Sequence, residues 1–378
     1  MSQRYLAGFI QAGLFNPLAA PPPPTYTYEL WSWGDNSVGQ LGLGNITNYS
    51  SPKQVGALTT WLNIVSEGTS SLATKTDGTL WSWGSNTEGQ LGLGNTTSYS
   101  SPKQVGALTT WSTIAGLTRR VMAIKTDGTL WAWGSNRFGQ LGLGNITYYS
   151  SPKQVGALTT WLNLSAGNYF SLATKTDGTL WSWGLNNSGQ LGSGTITNRS
   201  SPVQVGALTT WSNIACGNAY TLATKTDGTL WSWGNNSFGQ LGSGTTTNRS
   251  SPVQVGALTT WSKIACGDAH TLATKTDGTL WSWGNNGSGQ LGLGNITNYS
   301  SPKQVGALTT WSTIDGTTGA DSSFATKTDG TLWSWGYNAS GQLGLGNTTN
   351  YSSPKQVGAL TTWYKVSCGS TATIALKY

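Results

Sequence analysis

The stretch KTDGTLWSWG, residues 75–84, returns at Lys175, Lys225, Lys275 and Lys327, and at Lys125 with Ala132 in place of Ser. A seventh WSWG begins at Trp31, but TYTYEL precedes it where KTDGTL is due. The missing front half is matched at the other end of the chain, where TIALKY, residues 373–378, resembles SLATKT and stops. The first Trp of each W-x-W-G falls at 31, 81, 131, 181, 231, 281 and 333, a 50-residue spacing with two extra residues before the last. Self-similarity at a fixed period is the mark of a repeat architecture. Each unit also carries GQLG, SSP and QVGALTTW, so the units account for all 21 tryptophans.

Fifty-two glycines, few charges and abundant Thr, Val, Leu and Trp point to short strands and tight turns. The second unit offers four strand candidates, 102–105, 111–115, 121–126 and 129–134. Asp127-Gly128 between the last two is the pair that a two-residue type I′ hairpin demands. Four strands per unit and no helical period define an all-β, seven-bladed propeller of four-stranded blades. A ring must close without leaving an exposed edge. Strands within 363–377 are therefore expected to pair with 26–34, so that N- and C-terminal strands share one blade. The chain divides into an arm, 1–24, and a propeller, 25–378. Alternation along a strand puts both tryptophans of W-x-W on one face, and the opposite Leu and Ser or Ala leave room for a neighbour's indoles.

GTLWSWGNNSFGQLGSG (228–244) with IACGDAHTLATKTDG (264–278) resembles the repeat of the regulator of chromosome condensation family, a seven-bladed propeller. The resemblance runs from about residue 26 to the end and recurs in register seven times. It implies an exchange factor for a small GTPase, a UV-B photoreceptor or a protein-interaction module. The family's Gly-x-x-His is complete only at Gly267–His270, and the photoreceptor's Gly-Trp-Arg-His run is absent. No long insertion resembling the GTPase-engaging wedge breaks the rhythm. The fold transfers more readily than those activities.

QRYLAGFI, residues 3–10, resembles the short N-terminal tags on virion proteins of marine bacteriophages. That resemblance implies a particle-surface location, with residues 1–20 bound to a phage structural protein through Arg4, Tyr5, Leu6, Phe9, Ile10, Leu14 and Phe15. Pro21–Pro24 form a short stiff spacer. A secretory signal is the rival reading: Arg4, an apolar run, then LAA. Gln11 and two glycines interrupt that run.

Net charge is +7, but the basic residues are dispersed, and no cluster interleaves them with aromatics, which argues against nucleic acid. The Lys75-type residues are expected beside the Asp of their own hairpin. No apolar stretch reaches 18 residues, so no membrane span is expected. Cys216, Cys266 and Cys368 recur at one repeat position and read as small buried residues. One histidine, six hairpin aspartates among thirteen carboxylates, and no metal-spaced or phosphate-cradling motif argue against an enzyme or a cofactor. A hydrolase would need carboxylates brought together by the fold, such as Asp268, Asp315 and Asp321.

Comparing the units locates their variation. TDG and GALTT scarcely change, whereas diversity follows the W-x-W-G strand and the loop before the KTDGT strand. Strand direction puts both variable segments on one rim, the top. Candidate contact residues there are Arg119, Arg120, Arg137, Phe138, Tyr169, Phe170, Tyr220, Phe238, Asp268, His270 and Tyr337. Variable loops on a rigid scaffold commonly bind; unconstrained drift is the competing account. The resulting expectation is a non-enzymatic display module, presenting this rim to a host cell-surface glycan or protein from a phage fibre or appendage. The alternative is a cellular interaction scaffold of the same family.

Overall fold

A computed structural model describes residues 27–378, apart from Thr118 and 317–320. The arm residues named above lie outside the described ones. Seven four-stranded antiparallel sheets form a seven-bladed propeller. Blade 1 is built from Trp61–Ser66, Ser70–Lys75, Leu80–Gly84 and Tyr99–Gln104, in that spatial order. Blades 2 to 6 repeat it from Trp111, Trp161, Trp211, Trp261 and Trp311. In every blade the first strand touches the first strands of both neighbours, so these seven strands surround the axis.

The Ser-Ser-Pro strand is not the first strand of the unit that follows it. It is the outermost strand of the preceding blade, with Gly84 opposite Tyr99 and Trp81 opposite Gln104. The hairpin also differs from expectation. Gly78 N–H donates to Lys75 O at 2.9 Å, Lys75 N–H donates to Thr79 O at 3.0 Å, and of the turn residues only Gly78 has a positive φ, +77°. Type I′ needs positive φ at both central residues; a type I turn closed by a left-handed glycine needs it at one. Asp77 locks the turn by accepting from both the N–H and the hydroxyl of Thr79, at 2.9 and 2.6 Å.

Blade 7 is the split one. Glu29–Gly34 pairs with Ala372–Lys377 through six consecutive residues, from Glu29 opposite Lys377 to Gly34 opposite Ala372. Trp363–Cys368 flanks the C-terminal strand, and Tyr49–Gln54 flanks the N-terminal one. Glu29 stands where the other blades have Thr79. It accepts the Trp31 indole N–H at 2.9 Å and meets Lys377 Nζ at 3.2 Å. An ion pair thus spans the gap that a covalent turn closes elsewhere. Tyr28 stacks on Tyr364 with ring centroids 4.5 Å apart, and Tyr378 lies 5.4 Å from it.

The joints between blades are nearly identical. Trp61 packs edge-on against Trp81 and Trp83 of its own blade, and this apolar face meets Leu30, Ile374 and Leu376 of blade 7. Trp83 is fully buried, and an indole buries roughly 150–250 Å². Its N–H crosses the joint to Gln40 O at 2.9 Å, and Ser71 Oγ donates to the same carbonyl at 2.9 Å. Gly42 lies so close that a Cβ there would sit 2.7 Å from Trp83 Nε1. Lys75 Nζ lies 3.7 Å from the Trp81 ring centroid and 5.0 Å from that of Trp61. The Lys75-type ammonium therefore caps the indoles, a cation–π contact, while the charge of its hairpin Asp77 also attracts it. The three cysteines are buried.

Candidate functional site

Both variable segments share one rim. The residue after each W-x-W-G strand donates its N–H to the loop between the first two strands of its own blade, as Ser85 does to Thr69 O at 2.8 Å and Ser135 to Arg119 O at 2.9 Å. A buried asparagine braces the loop beyond. Asn86 Oδ1 accepts Leu91 N–H at 2.9 Å while Nδ2 donates to Asn95 O and Thr97 O, both at 3.0 Å. The opposite face owes its uniformity to interlocking. Thr76 N–H donates to Thr60 O at 2.9 Å, and Trp111 N–H reaches back to Gly78 O at 3.1 Å. Close backbone approach fixes the glycine of TDG, because a Cβ at Gly78 would lie 2.0 Å from Thr109 O.

Four candidate contact residues are not on the surface. Arg120, Phe170, Tyr220 and His270 open the second strands of blades 2 to 5, and each is completely buried. Arg120 donates to Gly167 O at 2.8 Å, Asn168 O at 2.9 Å and Leu117 O at 3.2 Å, and also to Phe170 O. Tyr220 donates to His270 O of the next blade, and His270 Nε2 meets Ser323 Oγ of the one after at 2.9 Å. These side chains fill the joints, each reaching into the following blade. The Gly-x-x-His spacing has a steric cause: a Cβ at Gly267 would lie 2.0 Å from the imidazole, and one at Gly217 1.9 Å from the Tyr220 ring. Burial pushes His270 down to about 3, so it is neutral at pH 7.

The accessible candidates gather over blades 1 to 3. Arg119 is exposed and is the one non-glycine residue with positive φ, +62°, among those described. Its guanidinium meets Glu88 of blade 1 at 3.4 Å. Arg137 is exposed and lies 5.6 Å from the Phe138 ring centroid. Phe138 in turn meets Tyr169 of blade 3 edge-to-face at 5.1 Å. Phe238, 44 % exposed, and Tyr337, 38 % exposed, stand apart on blades 4 and 6.

Further in, Asn168 Nδ2 donates to Asn218 Oδ1, and Asn218 Nδ2 to Asp268 Oδ1, each at 2.8 Å. Asp268 is half-buried and raised by that burial; Asp321, also half-buried, is raised by burial and by the nearby Asp268 charge. Asp315 instead turns to blade 7, accepting Cys368 N–H at 3.1 Å, and burial pushes it up to about 7. Among the described residues no group of three or more His, Cys, Asp or Glu is placed to hold a metal ion.

Glu67 is a buried acid that the sequence comparison passed over. Burial pushes it up to about 8, against a hydrogen bond from Ser70 at 2.8 Å and the attraction of Arg120. An acid raised in the folded state contributes most below its unfolded value near 4.5 and loses that contribution as pH rises toward 8. Glu67→Gln is therefore expected to raise the melting temperature more at pH 9 than at pH 5. An equal shift at both values would contradict the burial of a titrating acid.

This geometry defines a class: a closed seven-bladed ring with interlocked bottom loops and a braced, variable top rim. The chain belongs to the RCC1-like domain family, whose model matches residues 29–375. Among solved structures it is similar to Prp20p from Saccharomyces cerevisiae, with a TM-score of 0.83, 22 % identity, and coverage of 93 % of this chain and 92 % of that one. Human WBSCR16 is similar at a TM-score of 0.82 and 21 % identity, over 93 % of this chain and 98 % of that one. At such identities the likeness extends to the fold.

Proposed function

We propose that this propeller is a recognition scaffold without catalytic chemistry of its own, which takes a protein partner through the top of blades 1 to 3. The observation that carries this reading is the patch of Arg119, Arg137, Phe138 and Tyr169, contributed by two blades and held on braced loops. Arg and aromatic side chains are the usual anchors of protein interfaces. Two exposed guanidinium groups favour a partner with acidic side chains. The family supports an interaction role: the structures of Prp20p are described by its binding to Gsp1p and histones and by its complex with Kap60.

The combined variant Arg119→Ser, Arg137→Ser, Phe138→Ser, Tyr169→Ser is expected to lose at least tenfold in affinity for its partner while keeping the circular dichroism of the parent. Partners crosslinked to the parent in source cells, identified by mass spectrometry and then purified, provide the binding assay. Retention of the same partners at unchanged affinity would sink the reading.

A second setting is favoured by one observation, the resemblance of QRYLAGFI to marine phage tags. There residues 1–20 hold a structural protein of the particle, and the same rim faces a host cell-surface glycan or protein. The family match favours the cellular setting over this one. Neighbouring tail, baseplate or capsid genes, together with adsorption of the labelled propeller to host cells that the four-residue variant loses, would establish the particle setting.

A further inference from the structure

A cleft of about 730 Å³ lies away from the variable rim. It opens at blades 5 to 7 and runs down to the bottom loops, where Asp329, Gly330 and Thr361 line it. Its upper wall includes Lys263, Thr313 and Lys365, the third residues of three successive first strands. The same position in blades 1 to 4 is Asn63, Thr113, Asn163 and Asn213. Five of seven blades thus place a small neutral group there, and the two lysines flank one cleft. Two residues further along, Asp315 is the one acid at a position held by Val65, Ala115, Ser165, Ala215, Ala265 and Ser367 elsewhere. Charge has entered the axial strands of blades 5 to 7 and of no others.

These side chains turn toward the next first strand. Asn63 Nδ2 donates to Ser112 O at 3.1 Å, and Lys263 Nζ makes the equivalent bond to Ser312 O. Lys365 Nζ reaches Asn63 Oδ1 at 3.5 Å. An ammonium has three protons to donate, so each lysine satisfies the joint as an asparagine would and keeps donors over. The Asp315 carboxylate accepts Cys368 N–H and also attracts Lys365, offsetting part of that lysine's charge. Lys327 also lines the cleft, but it caps the Trp333 ring at 3.7 Å and is offset by Asp329, so the two axial lysines are the anchors.

We propose that this cleft binds a small anionic molecule, one bearing phosphate or carboxylate groups, held by Lys263 and Lys365 astride Thr313. The volume suits a compact organic anion rather than a single inorganic ion. The site is separate from the rim that contacts a protein partner.

Pyrophosphate and citrate, titrated calorimetrically into the full-length protein, test this and separate the two sources of negative charge. At least one probe is expected to bind saturably at one site per chain. The double variant Lys263→Asn, Lys365→Asn carries the residue that sister blades have at this position, so its fold is retained. It is expected to weaken binding at least tenfold. A control of equal charge, Lys53→Val with Lys103→Val, copies Val203 and Val253 and should bind as the parent does. No saturable binding of either probe, unchanged affinity in the double variant, or an equal loss in the control would each overturn the proposal.

Discussion

A chain that stops at residue 362 is expected to be recovered as aggregate or as a species cut rapidly by protease. The deletion removes two of the four strands of blade 7, and with them the six-residue pairing that holds Glu29–Gly34. It also strips Trp363 from Trp31 and Trp33, whose ring centroids lie 6.3 and 5.9 Å away. The losses include a buried indole, a complete strand ladder and the joint to blade 6. Together they exceed the roughly 5–15 kcal/mol by which a domain of ordinary stability is folded. Removal of residues 1–24 leaves every one of these contacts in place and is expected to shift the melting temperature by no more than a degree or so. Light scattering, limited proteolysis and thermal melts of the two truncations provide the comparison. If both melt like the full chain, pairing of the terminal strands does not hold the ring together.

Arg120→Ala is expected to cost about 3–5 kcal/mol, since each buried acceptor left without a donor costs about 1–3 kcal/mol. Four carbonyls on two blades lose a donor at once, Phe170 O keeping only Gly167 N–H, and Glu67 loses the cation that partly offsets its burial. Arg120→Tyr makes the informative companion, because Tyr220 fills the equivalent joint in blade 4 and donates from its hydroxyl to the equivalent carbonyl, His270 O. Leu117 stands where blade 4 has Gly217, so the ring needs Leu117→Gly beside it. With that pair changed, the loss should fall to about half or less of the alanine value, within the usual span for core exchanges. Urea denaturation measures both. An alanine variant within 1 kcal/mol of the parent would show that the joint tolerates unsatisfied carbonyls.

The contrast between Arg119 and Arg120 shows where reading the sequence stops. Both belong to a segment that differs between units, and variation alone marks them equally. Arg119 turns in the loop with φ +62° while Arg120 opens the strand, so one arginine lies in solvent and the next is sealed between blades. Phe170 and Tyr220 were misplaced for the same reason: the diversity at this position, His270 included, is that of a joint filled differently each time. The hairpin shows a similar limit. Asp-Gly serves both turn types, and a shift of one residue in where the ladder resumes separates them. Blade number, the split blade and the buried W-x-W face were legible, because each follows from period or alternation. The paired lysines at the axis were overlooked, although Lys263 and Lys365 depart from Asn or Thr in every other unit.

The order of strands in blade 7 has a consequence for synthesis on the ribosome. Among the described strands, Glu29–Gly34 is the first to emerge and its partner, Ala372–Lys377, the last. At 5–20 residues per second, the roughly 340 residues between them take about 17–70 s to translate. For all of that time the nascent chain carries one open strand edge whose native partner does not yet exist. Blades 1 to 6 are each made of consecutive strands and are free to form as they appear. The waiting edge is short, six residues, and carries Glu29 at its start, features that discourage pairing with a stranger. A slowly translated or truncated message would prolong the wait, and the first hairpin, rather than the last, would then be the segment that chaperones have to guard.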